Sequence, residues 1–197
     1  MRTGYSFFHQ SSGSSGLQWL IEITRKLVGA RKGRNKIKSV MLSIRPKWCE
    51  KIASGEKTIE VRKTKPKLET PFKCYIYCTQ SSVALGAWEK HGKVIGEFTC
   101  DRIDRLAPAN EPYGIYDIDD DYVLQTCLEN GALWDYGHGT PLYGWHISNL
   151  RIYDQPRELS EFTGLRNTRF GAASYDIKRP PQSWCYVEKW EKNDGDK

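Results

Sequence analysis

The sequence lacks most of the features from which a function is read directly. Among its 197 residues no apolar run approaches the roughly 18–20 that a membrane span needs. The N-terminus shows no signal-peptide hydrophobic stretch followed by a small-residue cleavage site. A membrane is therefore not an expected partner. There is no glycine-rich phosphate loop of P-loop or Rossmann form, which removes the nucleotide chemistry built on those scaffolds. Internal repeats are absent. Histidine is scarce, with four in the chain and no H-x-x-x-H pair. The six cysteines (Cys49, Cys74, Cys78, Cys100, Cys127 and Cys185) stand singly. Cys74 and Cys78 imitate a metal pair, but four residues of strand separate them by about 13 Å, too far for one tetrahedral zinc. No metal and no cofactor are expected. Without a secretion signal, the thiols are expected to be reduced and mostly buried in a cytoplasmic protein.

Charge of one sign is also missing where the net value suggests it. The chain carries +6 overall. Residues 1–40 hold eight Lys/Arg and one acid, a local +7, which leaves 22 bases and 23 acids over residues 41–197. The bulk basicity thus belongs to the N-terminal extension. What remains is polarised: residues 41–73 carry nine bases against four acids, while residues 101–161 carry four against twelve. One end is suited to attract phosphate and the other to repel it.

What is present is a generous aromatic content, with 7 Trp and 11 Tyr, enough to build a core. Residues 11–16 alternate Ser and Gly, a flexible composition resembling a non-native extension. Trp19, Leu20, Ile23 and Leu27 predict a short amphipathic helix over residues 17–30, and five bases crowd residues 31–38. The folded domain is expected over residues 41–192, after a basic extension over 1–40 and before a polar tail over 193–197.

Within that domain the pattern is mostly strand-like. Strands are predicted over residues 41–44, 58–62, 74–79, 93–103, 142–153 and 183–190. A helix is predicted from Pro46 through Ser54, because proline suits a first turn and Gly55 is a natural stop. A second is predicted over 117–128, with acids at its positive end. Residues 154–182, rich in Pro and Gly, read as an irregular loop. Short strands interrupted by two or three peripheral helices predict an α+β fold, a small mixed barrel of five or six strands.

One segment concentrates the chemistry. In Gly55-x-Lys57-x-x-Glu60-x-Arg62, alternation places Ile59 and Val61 on one face and Thr58, Glu60 and Arg62 on the other. Lys57 falls at the helix-to-strand turn. A lysine, a carboxylate and a guanidinium in this arrangement suit an ion-pair network, a clamp for phosphate or base edges, or an acid–base site with a tuned lysine. As an exposed network it would contribute only about 0–1 kcal/mol per pair.

The motif resembles the signature of ASCH domains, which belong to the PUA-like superfamily. Three further blocks fall in the same order. Val94-Ile-Gly-Glu-Phe-Thr-Cys100 is similar to the family's central strand. Leu142-Tyr-Gly-Trp-His-Ile147 and Arg179-Pro-Pro-Gln-Ser-Trp-Cys-Tyr-Val187 resemble those of phage- and bacterium-encoded ASCH proteins. The resemblance implies a PUA-like barrel and two different functions. One is binding of RNA or a modified nucleotide between the motif helix and the barrel, by a monomer. The other is amide hydrolysis of N4-acylated cytidines, using a Lys, a Thr three residues later and a distant Glu. Lys57 matches the lysine, but Glu60 stands where the threonine is expected, and Thr58 is displaced from that position.

Base recognition also needs aromatic faces. Tyr143 and Trp145 share a face with Ile147, as core residues do, which leaves His146 on the other side as a candidate for the site. Trp48 and Trp184 are the remaining candidates for walls. The expected ligand site therefore comprises Lys57, Thr58, Glu60, Arg62, Trp48, His146 and Trp184, with Lys57 and Glu60 catalytic only if the protein is an enzyme.

Overall fold

The computed structural model describes residues 38–80, 90–109, 114–169 and 171–189, all within the compact unit Ile37–Lys197. The helix expected over residues 17–30 and nearly all of the basic run lie outside the described residues.

Among the described residues eight strands form one mixed sheet. In chain order they are β1 (Lys38–Ile44), β2 (Ile59–Arg62), β3 (Phe72–Cys78), β4 (Val94–Leu106), β5 (Leu142–Arg157), β6 (Thr163–Thr168), β7 (Gly171–Asp176) and β8 (Trp184–Glu188). They are arranged β2-β5-β4-β3-β1-β8-β6-β7. Only β1 and β3 pair in parallel, at the centre. The first strand starts at Lys38, three residues before the expected domain boundary. The sheet is open, with β2 and β7 at its edges, so the barrel-like architecture is not closed.

Among the described residues three α-helices accompany the sheet: α1 (Pro46–Ala53), α2 (Asp120–Thr126) and α3 (Asn130–Gly137). Pro46 opens α1 after an extended Arg45, and Gly55 with φ +79° lets the chain leave it. Asp119 caps α2 by accepting from the Tyr122 backbone N–H at 2.7 Å, and Asp120 and Asp121 sit in its first turn. Cys127 ends it in the left-handed conformation.

Two expectations need correction. Residues 154–182 are not an irregular loop. They contain the end of β5, a 3-10 turn (Leu159–Glu161) and the β6–β7 hairpin, which raises the strand count to eight. Alternation there is hidden because both outer faces are polar. The second is α3, whose short run around Gly131 carries little helical signal.

The sheet buries apolar side chains on both faces. Val40, Leu42, Ile44, Cys74, Ile76, Phe98 and Trp145 form the main core, closed by Cys49 and Ile52 of α1. Met41, Tyr75, Tyr77, Phe162 and Val187 form a second. Four of the six cysteines are buried, and all six are free thiols. No helix among the described residues is long and apolar enough to cross a membrane.

Candidate functional site

The motif is held in place from both ends. After Gly55 the chain folds back, and the Lys57 backbone N–H donates to the Lys51 carbonyl at 2.9 Å. Thr58 then bridges two elements: its N–H donates to the Gln125 carbonyl of α2 at 3.0 Å, and its carbonyl accepts from Ile147 of β5 at 2.9 Å. β2 follows and pairs antiparallel with β5, Ile59 opposite His146 and Arg62 opposite Tyr143. Side-chain alternation then puts Glu60 and Arg62 on the same face as Tyr143 and Trp145.

Lys57, Glu60 and Arg62 are 2%, 6% and 7% exposed. Glu60 lies between the two cations, with Oε2 3.6 Å from Lys57 Nζ and Oε1 3.1 Å from Arg62 Nη2. The expected network exists, but it is buried, so the small value of exposed pairs does not apply to it. Lys57 Nζ also donates to the Thr126 carbonyl and lies 5.2 Å from the centre of the Trp48 ring. Arg62 Nη2 donates to the Ser43 carbonyl at 2.8 Å and Nη1 reaches Ser183 Oγ at 3.5 Å. Its Nε is buried with no hydrogen-bond partner, as is Nε1 of Trp145 on the same face.

Burial pushes the Lys57 amine below the usual lysine pKa, and the attraction of Glu60 only partly offsets it. A lysine whose pKa falls on folding penalises the folded state while it is charged. That penalty is relieved as pH rises from the lowered value towards the ordinary 10.5. The stability of the protein relative to its Lys57→Met variant is therefore expected to rise across that alkaline window, measured by urea denaturation at each pH. A flat difference would contradict the assigned direction.

The aromatic candidates divide. Trp48 is half-buried beside Lys57. Trp184 donates from Nε1 to Thr64 Oγ1 at 2.9 Å and packs on Trp145 at 6.2 Å between ring centres. Both belong to the motif's side of the sheet. Trp145 is fully buried, as expected of core, and Tyr143 is half-buried. His146 is placed elsewhere. It faces the opposite side of β5, where Nε2 lies 2.6 Å from Asp104 Oδ2 and 2.9 Å from Arg102 Nη2, with the Tyr122 ring 6.3 Å away. It does not meet Glu60 or Arg62.

Sequence reasoning missed several participants. Tyr136 of α3 is close enough to Arg62 and Glu60 for their charges to act on its hydroxyl, whose pKa is raised chiefly by burial. Nothing local marks it. Ser43 and Thr126 contribute only backbone carbonyls, which no residue type announces. A separate open depression of about 710 Å³ is lined by Glu158, Leu159, Ser160, Asp176, Ile177 and Lys178. It offers no aromatic face to a base.

The structure is similar to crystal structures of the ASCH protein from Zymomonas mobilis. The unmutated protein superposes with a TM-score of 0.53 at 21% identity, over 77% of this chain and 88% of that one. Two point mutants of it give TM-scores of 0.53 and 0.54 at 20% and 21% identity. Those alignments cover 77% and 78% of this chain and 91% of each mutant. No protein-family model matches the sequence, and no curated protein matches it. The fold is thus that of the Zymomonas mobilis ASCH protein, an α+β architecture with an open mixed sheet.

Proposed function

We propose that the face built on Lys57, Glu60 and Arg62 binds a nucleotide, free or within RNA, in a monomeric cytoplasmic protein. The observation that carries this reading is Arg62 Nε, a buried donor left without a partner inside an otherwise satisfied charge network. Buried donors are almost always paired, and an exception invites an acceptor such as a base carbonyl or a phosphate oxygen. Lys57 is less available, because the Thr126 carbonyl and Glu60 already engage its amine. Its role in this reading is to hold the carboxylate. Glu60 keeps unused lone pairs for an exocyclic amine. Trp48 supplies a stacking face beside them.

Base–aromatic stacking contributes about 1–3 kcal/mol. Trp48→Ala is therefore expected to weaken binding of uridine or cytidine monophosphate by about tenfold, read by isothermal titration calorimetry. Unchanged affinity would remove this face from the binding site.

One observation favours a second reading, amide hydrolysis of N4-acylated cytidines. The Lys57 amine, made less basic by burial and 3.6 Å from a carboxylate, suits a general base or nucleophile with Glu60 orienting water. Against it, Glu60 replaces the hydroxyl of the hydrolytic trio. Incubation with N4-acetylcytidine separates the readings, and no release of cytidine at high protein concentration ends the hydrolytic one.

A further inference from the structure

Directly after Arg62 the chain reads Lys63-Thr64-Lys65-Pro66-Lys67, so three lysines alternate from the point where the motif ends. We propose that Lys63, Lys65 and Lys67 form a phosphate track that leads a single-stranded nucleic acid away from the Lys57–Glu60–Arg62 site. This deepens the nucleotide-binding reading above and rests on it.

The segment is fixed along its length. Trp184 Nε1 donates to Thr64 Oγ1 at 2.9 Å, Pro66 is buried, and the Lys67 backbone N–H donates to the Tyr186 hydroxyl at 2.8 Å. Pro66 also restricts Lys65 to an extended conformation. The chain bends at Lys63 and Lys67, so the lysines follow a curved path; where it is extended, every second side chain recurs at about 6–7 Å, a spacing near that of successive phosphates on a stretched single strand.

The three side chains are exposed, and among the described residues none of them forms an ion pair. Three other surface lysines are neutralised by contrast, Lys51 by Glu56, Lys73 by Glu97 and Lys93 by Glu158. Two of the three rest on aromatic rings, Lys63 over Tyr136 at 4.9 Å and Lys65 over Tyr143 at 5.7 Å. Two further lysines rest on rings in the same way, Lys47 over Trp48 at 4.8 Å and Lys38 over Tyr186 at 5.6 Å. A ring face positions a cation through its quadrupole without cancelling the charge, whereas a carboxylate cancels it. Cations held this way keep their potential for a polyanion. The same rings suit unpaired bases, which a duplex would not offer. The nearest acid in the segment, Glu69, lies beyond its last lysine, and the acidic helix start at Asp119–Asp121 belongs to a different element.

The test compares uridine monophosphate by calorimetry with a fluorescein-labelled oligouridylate of about eight nucleotides by anisotropy across salt. The oligomer is expected to bind more tightly than the mononucleotide. In the triple variant Lys63→Gln, Lys65→Gln, Lys67→Gln, the slope of log affinity against log salt should fall by about 2, at about 0.7 per phosphate released. Mononucleotide affinity should stay within about twofold, since the lysines act at separate positions, and the triple Arg variant should restore the slope. The track is overturned if the triple Gln variant keeps the slope, or if a duplex of the same length binds as well as the single strand. Should the mononucleotide bind and the oligomer bind no tighter, the track fails while the nucleotide reading stands. Lysine-dependent oligomer binding without any mononucleotide binding would leave a basic surface with no site to lead from, and overturns both readings.

Discussion

Glu60→Ala is expected to lower the unfolding free energy by about 3–5 kcal/mol, the usual cost of breaking a buried ion pair from one side. Glu60 is the one anion between Lys57 and Arg62, and all three side chains are less than a tenth exposed. Removing it leaves two cations buried close together without a counter-charge. Glu60→Gln retains the shape and part of the hydrogen bonding but not the charge. It should therefore also be destabilised, by less than the alanine variant. Urea denaturation of the three proteins measures both effects. Equal stability of the wild type and Glu60→Gln would contradict a contribution from the ion pairs. Because Lys57 sits over Trp48, Glu60→Ala should also change the tryptophan environment before unfolding begins.

Gly144→Ala is expected to cost about 1–3 kcal/mol by overpacking, and to act on the site from behind. A Cβ at Gly144 would stand 1.8 Å from the Tyr122 hydroxyl and 3.1 Å from Ile59. Tyr122 is part of α2, whose last residue Thr126 provides the carbonyl that holds Lys57. The Tyr122 side chain must be pushed aside for the methyl group to fit, and where that displacement reaches its helix it draws the Thr126 carbonyl away. Lys57 then loses a partner, and its amine should become still less basic, since the carbonyl stabilises the charged form. Tyr122→Phe in the same background shortens the side chain at the point of collision and should recover much of the stability, again read by urea denaturation. Failure of that rescue would show that Gly144 matters for a different reason.

The core of the site was legible in the sequence because it is local. Gly55, Lys57, Glu60 and Arg62 lie within eight residues, and alternation predicts the shared face of the last two. Burial was not legible, because it depends on α2 and on residues near 183 approaching from far along the chain. The same distance explains His146. Alternation correctly separates it from Tyr143 and Trp145, but which side of β5 faces the motif follows only from the register with β2. Thr58, a candidate for the ligand site, joins α2 to β5 through its backbone, and its hydroxyl reaches Gln125 Oε1 at 3.4 Å. The strands with clear alternation were predicted within a few residues. The β6–β7 hairpin was not, since Gly171-Ala-Ala-Ser offers no apolar rhythm.

The pairing of β2 with β5, and of Arg62 with Ser43 and Ser183, sets the order in which the site comes into being during synthesis. The motif is made before its partner strand, which follows some eighty residues later, and before Ser183, which lies 121 residues after Arg62. Such distant contacts form slowly, after the loops between them have closed. Until then the nascent chain carries its lysine, glutamate and arginine in water as ordinary surface charges. Only a chain extended past Ser183 converts them into a buried, preorganised set, so products truncated before it have the motif without the site.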